Sequence, residues 1–216
     1  VHGDDALCAA CADALPRLPL EACWLCQSAL AGVGPRCGAC RRSRSPLLQV
    51  AAEAAFEDDV ADWVHRFKYP APGFSGLDPR PAAALAALAC DAAWRLVAAT
   101  PTCIVPVPIH ASRRRARGFH PAAELARAIG ARLCVPVAAR SLVAVRATAS
   151  QTGLDRPARR RNVSGAFALG SPLPRGACVA LVDDVVTTGA TLAECARVLR
   201  RAGVRRVVAV CAARTL

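Results

Sequence analysis

The run from Val179 to Leu192 constrains this chain more than any other stretch. Val179-Ala180-Leu181-Val182 is apolar with a β-branched bias, the pattern of a buried strand. Asp183 and Asp184 end that run. Thr187-Thr188-Gly189-Ala190-Thr191 follows as a turn, and Leu192 to Leu199 has helical spacing. This order gathers hydroxyls beside the free N–H groups and positive dipole end of a helix, a setting that favours phosphate. Gly189 allows close backbone approach. A carboxylate pair can accept hydrogen bonds from a ribose diol or face the water shell of Mg²⁺. The stretch therefore points to a 5-phosphorylated ribose, with phosphate on Thr187, Thr188, Gly189, Ala190 and Thr191 and the sugar hydroxyls on Asp183 and Asp184. The plainer alternative is an ordinary loop with helix-capping threonines and solvated aspartates. The stretch has neither the P-loop pattern nor the Gly-x-Gly-x-x-Gly of a dinucleotide fold.

The order of these pieces resembles the phosphoribosyl pyrophosphate (PRPP) motif of type I phosphoribosyltransferases. That resemblance implies a sugar donor carrying a diphosphate, and the charge distribution bears on it. The chain has 216 residues and a formal net charge of +12, room for one α/β domain and a small module. Residues 1–108 hold 9 basic and 11 acidic side chains, whereas residues 109–165 hold 12 arginines against Glu124 and Asp155. A field focused in this way favours polyanions such as pyrophosphate, nucleotides or nucleic acid. A solubilising arginine-rich surface is the alternative, since Lys68 is the sole lysine. No apolar run reads as a membrane span; Ala83 to Ala99 is interrupted by Asp91 and Arg95. No secretory leader is read in the opening residues, although the sequence starts on Val and has no Met.

Six of the 12 cysteines form Cys-x-x-Cys pairs before residue 41: Cys8/Cys11, Cys23/Cys26 and Cys37/Cys40. Little apolar sequence lies between them. Thiolate pairs at this spacing wrap one tetrahedral Zn²⁺, and two pairs close a structural site. Cys23, Cys26, Cys37 and Cys40 are the favoured ligands. Cys8 and Cys11 then need a partner pair, which would lie upstream of Val1, or they interleave with the others. Disulfides, a redox pair and iron are the alternatives. Arg36, Arg41, Arg42 and Arg44 give a role in nucleic-acid contact modest support. The remaining cysteines are scattered among apolar residues, as expected of buried thiols in a reducing, cytoplasmic setting.

Ala51 to Phe67 reads as one helix with an acidic start, leading into Lys68-Tyr69. Ala82 to Ala99 reads as an alanine-rich helix and Pro121 to Leu133 as an amphipathic one. Cys103 to Ile109 reads as a strand ending in a stiff turn at Pro106 and Pro108. The segment after it carries Arg113, Arg115, Arg117 and Gly118, and reads as a loop able to wrap a diphosphate by bidentate contacts. Arg146 to Asn162 reads either as a mobile flap or as a flat nucleic-acid footprint. Val135 to Val137 reads as a short edge and Val163 to Leu169 as a short strand. Strands near 103–109, 178–183 and 204–212 make a parallel α/β sheet, with Asp183, Asp184 and the arginine segment at carboxyl ends.

The ordered set resembles the ComF family, the phosphoribosyltransferase-like group linked to natural competence. It comprises the cysteine pairs, Lys68-Tyr69, Val105 to Pro108, Arg117-Gly118-Phe119, Gln151 to Asn162, and Asp183 to Thr191. His120-Pro121 stands where the family usually has Asn-Gln, and three cysteine pairs stand where it often has four. The resemblance implies a type I phosphoribosyltransferase-like parallel sheet flanked by helices over residues 46–216, preceded by a small zinc ribbon over 1–45. It implies PRPP or a phosphorylated ribonucleotide as ligand, with Mg²⁺. Asp183, Asp184 and Lys68 are then the catalytic candidates. The expected reaction transfers phosphoribosyl to an acceptor with loss of pyrophosphate. The competing expectation is a non-catalytic DNA-uptake factor with single-stranded DNA and a competence helicase as partners.

Overall fold

A computed structural model describes residues 7–30, 34–42, 44–69, 77–149 and 155–216. Their elements in chain order are α1 (Ala9–Asp13), α2 (Gly38–Arg42), β1 (Val50–Ala55), α3 (Asp58–Lys68), α4 (Pro79–Trp94), β2 (Cys103–Pro106) and α5 (Ala111–Arg117). They continue with α6 (Pro121–Leu133), β3 (Leu142–Ala144), α7 (Arg156–Val163), β4 (Phe167–Leu169), β5 (Cys178–Val186), α8 (Ala190–Arg201) and β6 (Arg206–Arg214). The main sheet has the order β1-β6-β5-β2, and every pairing is parallel. Val137, outside the named strands, adds a single parallel bridge to Ile104 of β2.

Side-chain alternation distributes β5 between two cores. Ala180 and Val182 join Val60, Phe67, Leu85, Leu88, Leu125 and Ile129 from α3, α4 and α6. Val179 and Leu181 join Leu192, Cys195 and Leu199 from α8. The sheet is thus covered on both faces, as a parallel sheet requires. Pro106 closes β2, where its missing N–H interrupts no further ladder, and the next amide, Val107, donates to Val182 O at 2.8 Å.

Two sequence expectations need correction here. Residues 50–55 are strand, not the start of a helix; β1 pairs with β6 from Val50 to Ala55. Alanine favours helix in isolation, but small side chains buried on a sheet let tertiary contacts override that preference. The helix that follows begins only at Asp58. The segment expected as an arginine loop is α5, a short helix with no buried residue, closed by Gly118 at φ 82°. The remaining differences are smaller. The alanine-rich helix spans Pro79–Trp94, and the final strand runs to Arg214. Phe167–Leu169 pairs antiparallel with Leu142–Ala144 rather than joining the main sheet.

The cysteine-rich segment covers the open edge of β1. Val50 N–H donates to Leu25 O at 2.7 Å. Gln27 uses both ends of its amide: Oε1 accepts from Ala52 N–H at 2.5 Å and Nε2 donates to Ala52 O at 3.2 Å. Ala55 N–H donates to Pro16 O at 2.9 Å, and Arg17 bridges antiparallel to Ala54. These bonds occupy the row of groups that an edge strand otherwise offers to a second chain. Gln27 makes its pair from a left-handed turn at φ 56°, a conformation costly for a side-chain-bearing residue. Gln27→Ala is expected to lower the unfolding free energy by about 1–3 kcal/mol, because buried Ala52 is left with unmet polar groups. Gln27→Gly, which also relieves the turn, is expected to lose less. Urea unfolding measures both, and an Ala variant as stable as wild type would show that the edge bonds contribute nothing.

Candidate functional site

Adjacent strands whose connections leave toward opposite faces open a crevice at their carboxyl ends. β2 leads through α5 to α6 on one face, and β5 leads to α8 on the other. The β2–β5 boundary is therefore such a crevice. The 187–191 turn, both aspartates and the Arg117 end of α5 flank it.

The turn is built as its sequence implies. Gly189 takes φ 72°, and its carbonyl accepts from Ala193 N–H at 2.9 Å. Thr188 Oγ1 accepts from Ala190 N–H at 3.4 Å. Thr187, Thr188 and Thr191 are half-buried and Ala190 is buried.

Asp183 and Asp184 are strand residues, since the ladder with β6 continues to Val186. Each carboxylate accepts from the next amide: Asp183 Oδ1 from Asp184 N–H at 3.0 Å, and Asp184 Oδ1 from Val185 N–H at 2.7 Å. Asp184 is 6% exposed, and its Oδ2 lies 2.9 Å from Lys68 Nζ. Burial works against the Lys68 charge, but Asp184 outweighs it and holds the ammonium above its ordinary range. Burial, then the neighbouring Asp184 charge, pushes Asp183 up to about 7, with Lys68 opposing the rise. Asp183 in turn helps keep the buried thiols of Cys195 and Cys211 protonated, beneath the larger effect of their own burial. Two neighbouring carboxylates thus have different surroundings, one ion-paired and one held up.

Three consecutive residues at the end of α3 go three ways. Phe67 is fully buried and packs on Phe119 with ring centroids 5.8 Å apart. Lys68 reaches Asp184. Tyr69 lies under Arg117, the guanidinium carbon 5.1 Å from its ring centre. The Lys-Tyr and Arg-Gly-Phe elements are therefore one physical unit. The sequence placed Lys68-Tyr69 and Arg117-Gly118-Phe119 as separate elements, with no sign that they meet. Arg117 is half-buried, while Arg113 and Arg115 are exposed on α5. Arg113 Nη2 donates to Thr148 O at 2.7 Å, which ties α5 to the segment leading to α7. Positions 113 and 117 share one helical face and 115 does not.

Several contacts around the crevice had no sequence signal. His120 precedes α6, and its Nε2 lies 2.8 Å from Val107 O, an acceptor that fixes the proton on Nε2. Burial lowers its proton affinity, with the Val107 contact opposing. Glu194 accepts from Gly165 N–H at 3.2 Å and so joins α8 to the turn between α7 and β4. Asn162 exchanges two hydrogen bonds with Ala149, at 3.0 and 3.1 Å. Of the expected flap, Gln151 to Leu154 lie outside the described residues.

The cysteine segment forms a second candidate site. The Sγ atoms of Cys23, Cys26, Cys37 and Cys40 all lie within 4.8 Å of one another, so the cluster could hold a metal ion such as zinc. The donor set fits one. Burial opposes ionising Cys23, but backbone amides at Cys37, Cys26 and Leu25 overcome it and bring the thiol down to about 7. Burial pushes the Cys26 and Cys40 thiols up instead, so the four ionise together only where a cation compensates their charge. Cys8 and Cys11 lie outside this cluster, at the start of α1, and both are exposed.

Comparison with known proteins follows the same outline. The chain is 32% identical over 214 residues to the DNA utilization protein YhgH of Salmonella typhimurium, covering 97% of this chain and 91% of that protein. It is 30% identical over 206 residues to Competence protein F of Haemophilus influenzae, covering 93% and 87%. The chain belongs to the ComF family. Within this ComF chain, residues 115–215 match the phosphoribosyl transferase domain family. A purine phosphoribosyltransferase of Pyrococcus horikoshii is similar at 19% identity with a TM-score of 0.33, covering 59% of this chain and 68% of that one. Among the described residues, no helix is long and apolar enough to cross a membrane.

The four-cysteine geometry makes a stoichiometric prediction. Purified protein is expected to carry one zinc per described cluster, read by thiol-titrated release and atomic absorption. Cys23→Ser and Cys40→Ser are each expected to lower the cluster's occupancy, whereas Cys8→Ser with Cys11→Ser is expected to leave it intact.

Proposed function

We propose that this ComF chain binds PRPP, or a phosphorylated ribonucleotide, in the β2–β5 crevice. In this reading the 5′-phosphate sits on Thr187, Thr188, Gly189, Ala190 and Thr191 at the start of α8. Asp183 and Asp184 face the ribose hydroxyls. Arg117 and Lys68 face the diphosphate, and Arg113 and Arg115 extend that basic side. The observation that carries the reading is convergence: a phosphate-type turn, two unlike carboxylates and two cations meet at one switch point of a parallel sheet. Mg²⁺ arriving with PRPP would neutralise the diphosphate. Zn²⁺ would hold the ribbon, proposed to span residues 1–45, against the domain over 46–216.

The chemistry open to such a site is transfer of phosphoribosyl to an acceptor as pyrophosphate departs. Departure builds positive charge on the sugar and negative charge on the leaving group. The chain's contribution is to orient the diphosphate and to hold fixed charges where charge develops, rather than to supply a strong base.

Asp183→Asn together with Asp184→Asn is expected to weaken PRPP binding at least about a hundredfold, roughly 2.7 kcal/mol. Calorimetry that shows unchanged affinity would overturn the site. The raised Asp183 carboxyl adds a pH signature. Its ionised form is the better acceptor for a diol, so affinity should rise with pH as that carboxyl ionises near neutrality. Phosphate titrates in the same window, so the measured quantity is the wild-type to Asp183→Asn affinity ratio, which should grow with pH.

A second reading has its own observation. Exposed Arg113, Arg114 and Arg115 on α5 adjoin, through the Arg113–Thr148 contact, the segment leading to exposed Arg160 and Arg161 on α7. This basic surface beside the crevice suits single-stranded DNA, and a ComF chain acting in DNA uptake in the cytoplasm, with a helicase partner, would use it without turnover. Binding of an oligonucleotide should then fall steeply with salt. Arg160→Ala with Arg161→Ala should flatten that dependence while leaving PRPP affinity unchanged. Absence of binding at low salt removes this reading.

A further inference from the structure

Lys68 is the only lysine in a chain whose other basic side chains are arginines. Its position is fixed from three sides. Phe67 before it is fully buried, Tyr69 after it lies under Arg117, and Nζ itself sits 2.9 Å from Asp184 Oδ2. The other Asp184 oxygen already accepts from Val185 N–H at 2.7 Å. Both oxygens of this nearly buried carboxylate are therefore engaged within the chain. Asp183 is close enough for its charge also to favour the Lys68 ammonium.

This arrangement does not suit a divalent ion on Asp184. Mg²⁺ needs oxygen ligands in near-ideal octahedral geometry at short range. Here one carboxylate oxygen faces an ammonium, which offers no lone pair and repels a second cation. An ammonium is itself a compact charge with three donors. One donor meets Asp184, and the other two can meet ligand oxygens. The planar fork of arginine cannot reproduce that tetrahedral set, which accounts for a lysine in a chain otherwise committed to arginine.

We propose that Lys68 is a tethered cation that takes, at the Asp183–Asp184 pair, the place a divalent ion would occupy, so that the protein recognises a 5-phosphorylated ribose without a metal bound to these carboxylates. The inference rests on the phosphorylated-ribose reading of the crevice. It separates the metal that travels on a diphosphate from any metal on the protein. The ligand class it adds is the ribose monophosphate, which has no diphosphate to bring an ion.

Two measurements on the full zinc-loaded chain test it. In the first, Mn²⁺ alone is titrated and followed by electron paramagnetic resonance. Wild type is expected to show no Mn²⁺ site dependent on Asp184. Lys68→Gln is expected to gain one, and Lys68→Gln with Asp184→Asn to lose it again. Lys68→Met keeps the aliphatic stem and serves if the Gln variant does not fold. A wild-type Mn²⁺ site that the Lys68 variants leave unchanged but Asp184→Asn removes overturns the proposal, as does a folded Lys68 variant with no gain.

In the second, ribose 5-phosphate is titrated calorimetrically with and without added Mg²⁺. Wild-type affinity is expected to change less than about twofold, whereas Lys68→Gln should bind at least about tenfold more weakly without the ion and recover with it. A wild-type requirement for Mg²⁺ overturns the proposal. No heat in any sample instead defeats the phosphorylated-ribose reading, while the Mn²⁺ result, which uses no sugar, still decides the role of Lys68.

Discussion

A parallel sheet must be buried on both faces, and this requirement organises the protein. The crossovers between parallel strands deliver the covering helices. α3, α4 and α6 take one face and α8 takes the other. Dividing the helices this way makes neighbouring connections part between β2 and β5, and the crevice follows from that parting. The same requirement explains the composition of β1. Ala54 shares a core with the alanines of helix α4, where larger side chains would force the layers apart, and Ala52 lies in the core on the other face. What helices cannot cover is the outer edge of β1. The cysteine segment does this with backbone and Gln27 bonds, so a small unit with little core of its own completes a sheet it does not belong to.

The ribbon edge and the crevice are joined by side chains. Cys26 Sγ lies 3.3 Å from Ser28 Oγ, and Ser28 Oγ accepts from Arg214 Nη2 at 2.6 Å. Arg214 is buried at the carboxyl end of β6, in register with Val186 of β5. Burying a guanidinium is costly unless its donors are met. Ser28 meets one of them, so correct seating of the cysteine unit and correct seating of the central strand's end depend on each other.

The strand, turn and helix from Val179 to Leu199 were legible in the sequence because each follows from local residue choice. Pro121 to Leu133 was legible to the residue, since a proline opens it and its apolar spacing persists to the end. β1 was not, because alanine's helical preference is a local property and its strand state is imposed by neighbours far along the chain. α5 was not, because periodicity is a signature of a buried face and this helix buries none. The pairings of Lys68 with Asp184 and of Tyr69 with Arg117 were out of reach for another reason. Spacing in sequence carries no information about which side chains meet across a crevice, although both members of each pair had been singled out.

The charged pair at the end of α3 suits the proposed recognition role better than a stabilising one. A buried ion pair returns little net stability, because desolvation consumes most of the attraction. Asp184 and Lys68 are therefore poorly explained as a fold-stabilising contact. Their arrangement fits a preorganised site, in which charge is held by packing before a ligand arrives and needs no reordering when it does. The packing is specific: Phe67 on Phe119 fixes the end of α3 against the turn after α5, so the lysine and Arg117 are positioned by one aromatic contact. His120, one residue further on, ties that turn to Val107 at the end of β2. The residue that departs from the family pattern thus holds backbone at the crevice, and the amides it replaces need not have touched a ligand for the exchange to be tolerated.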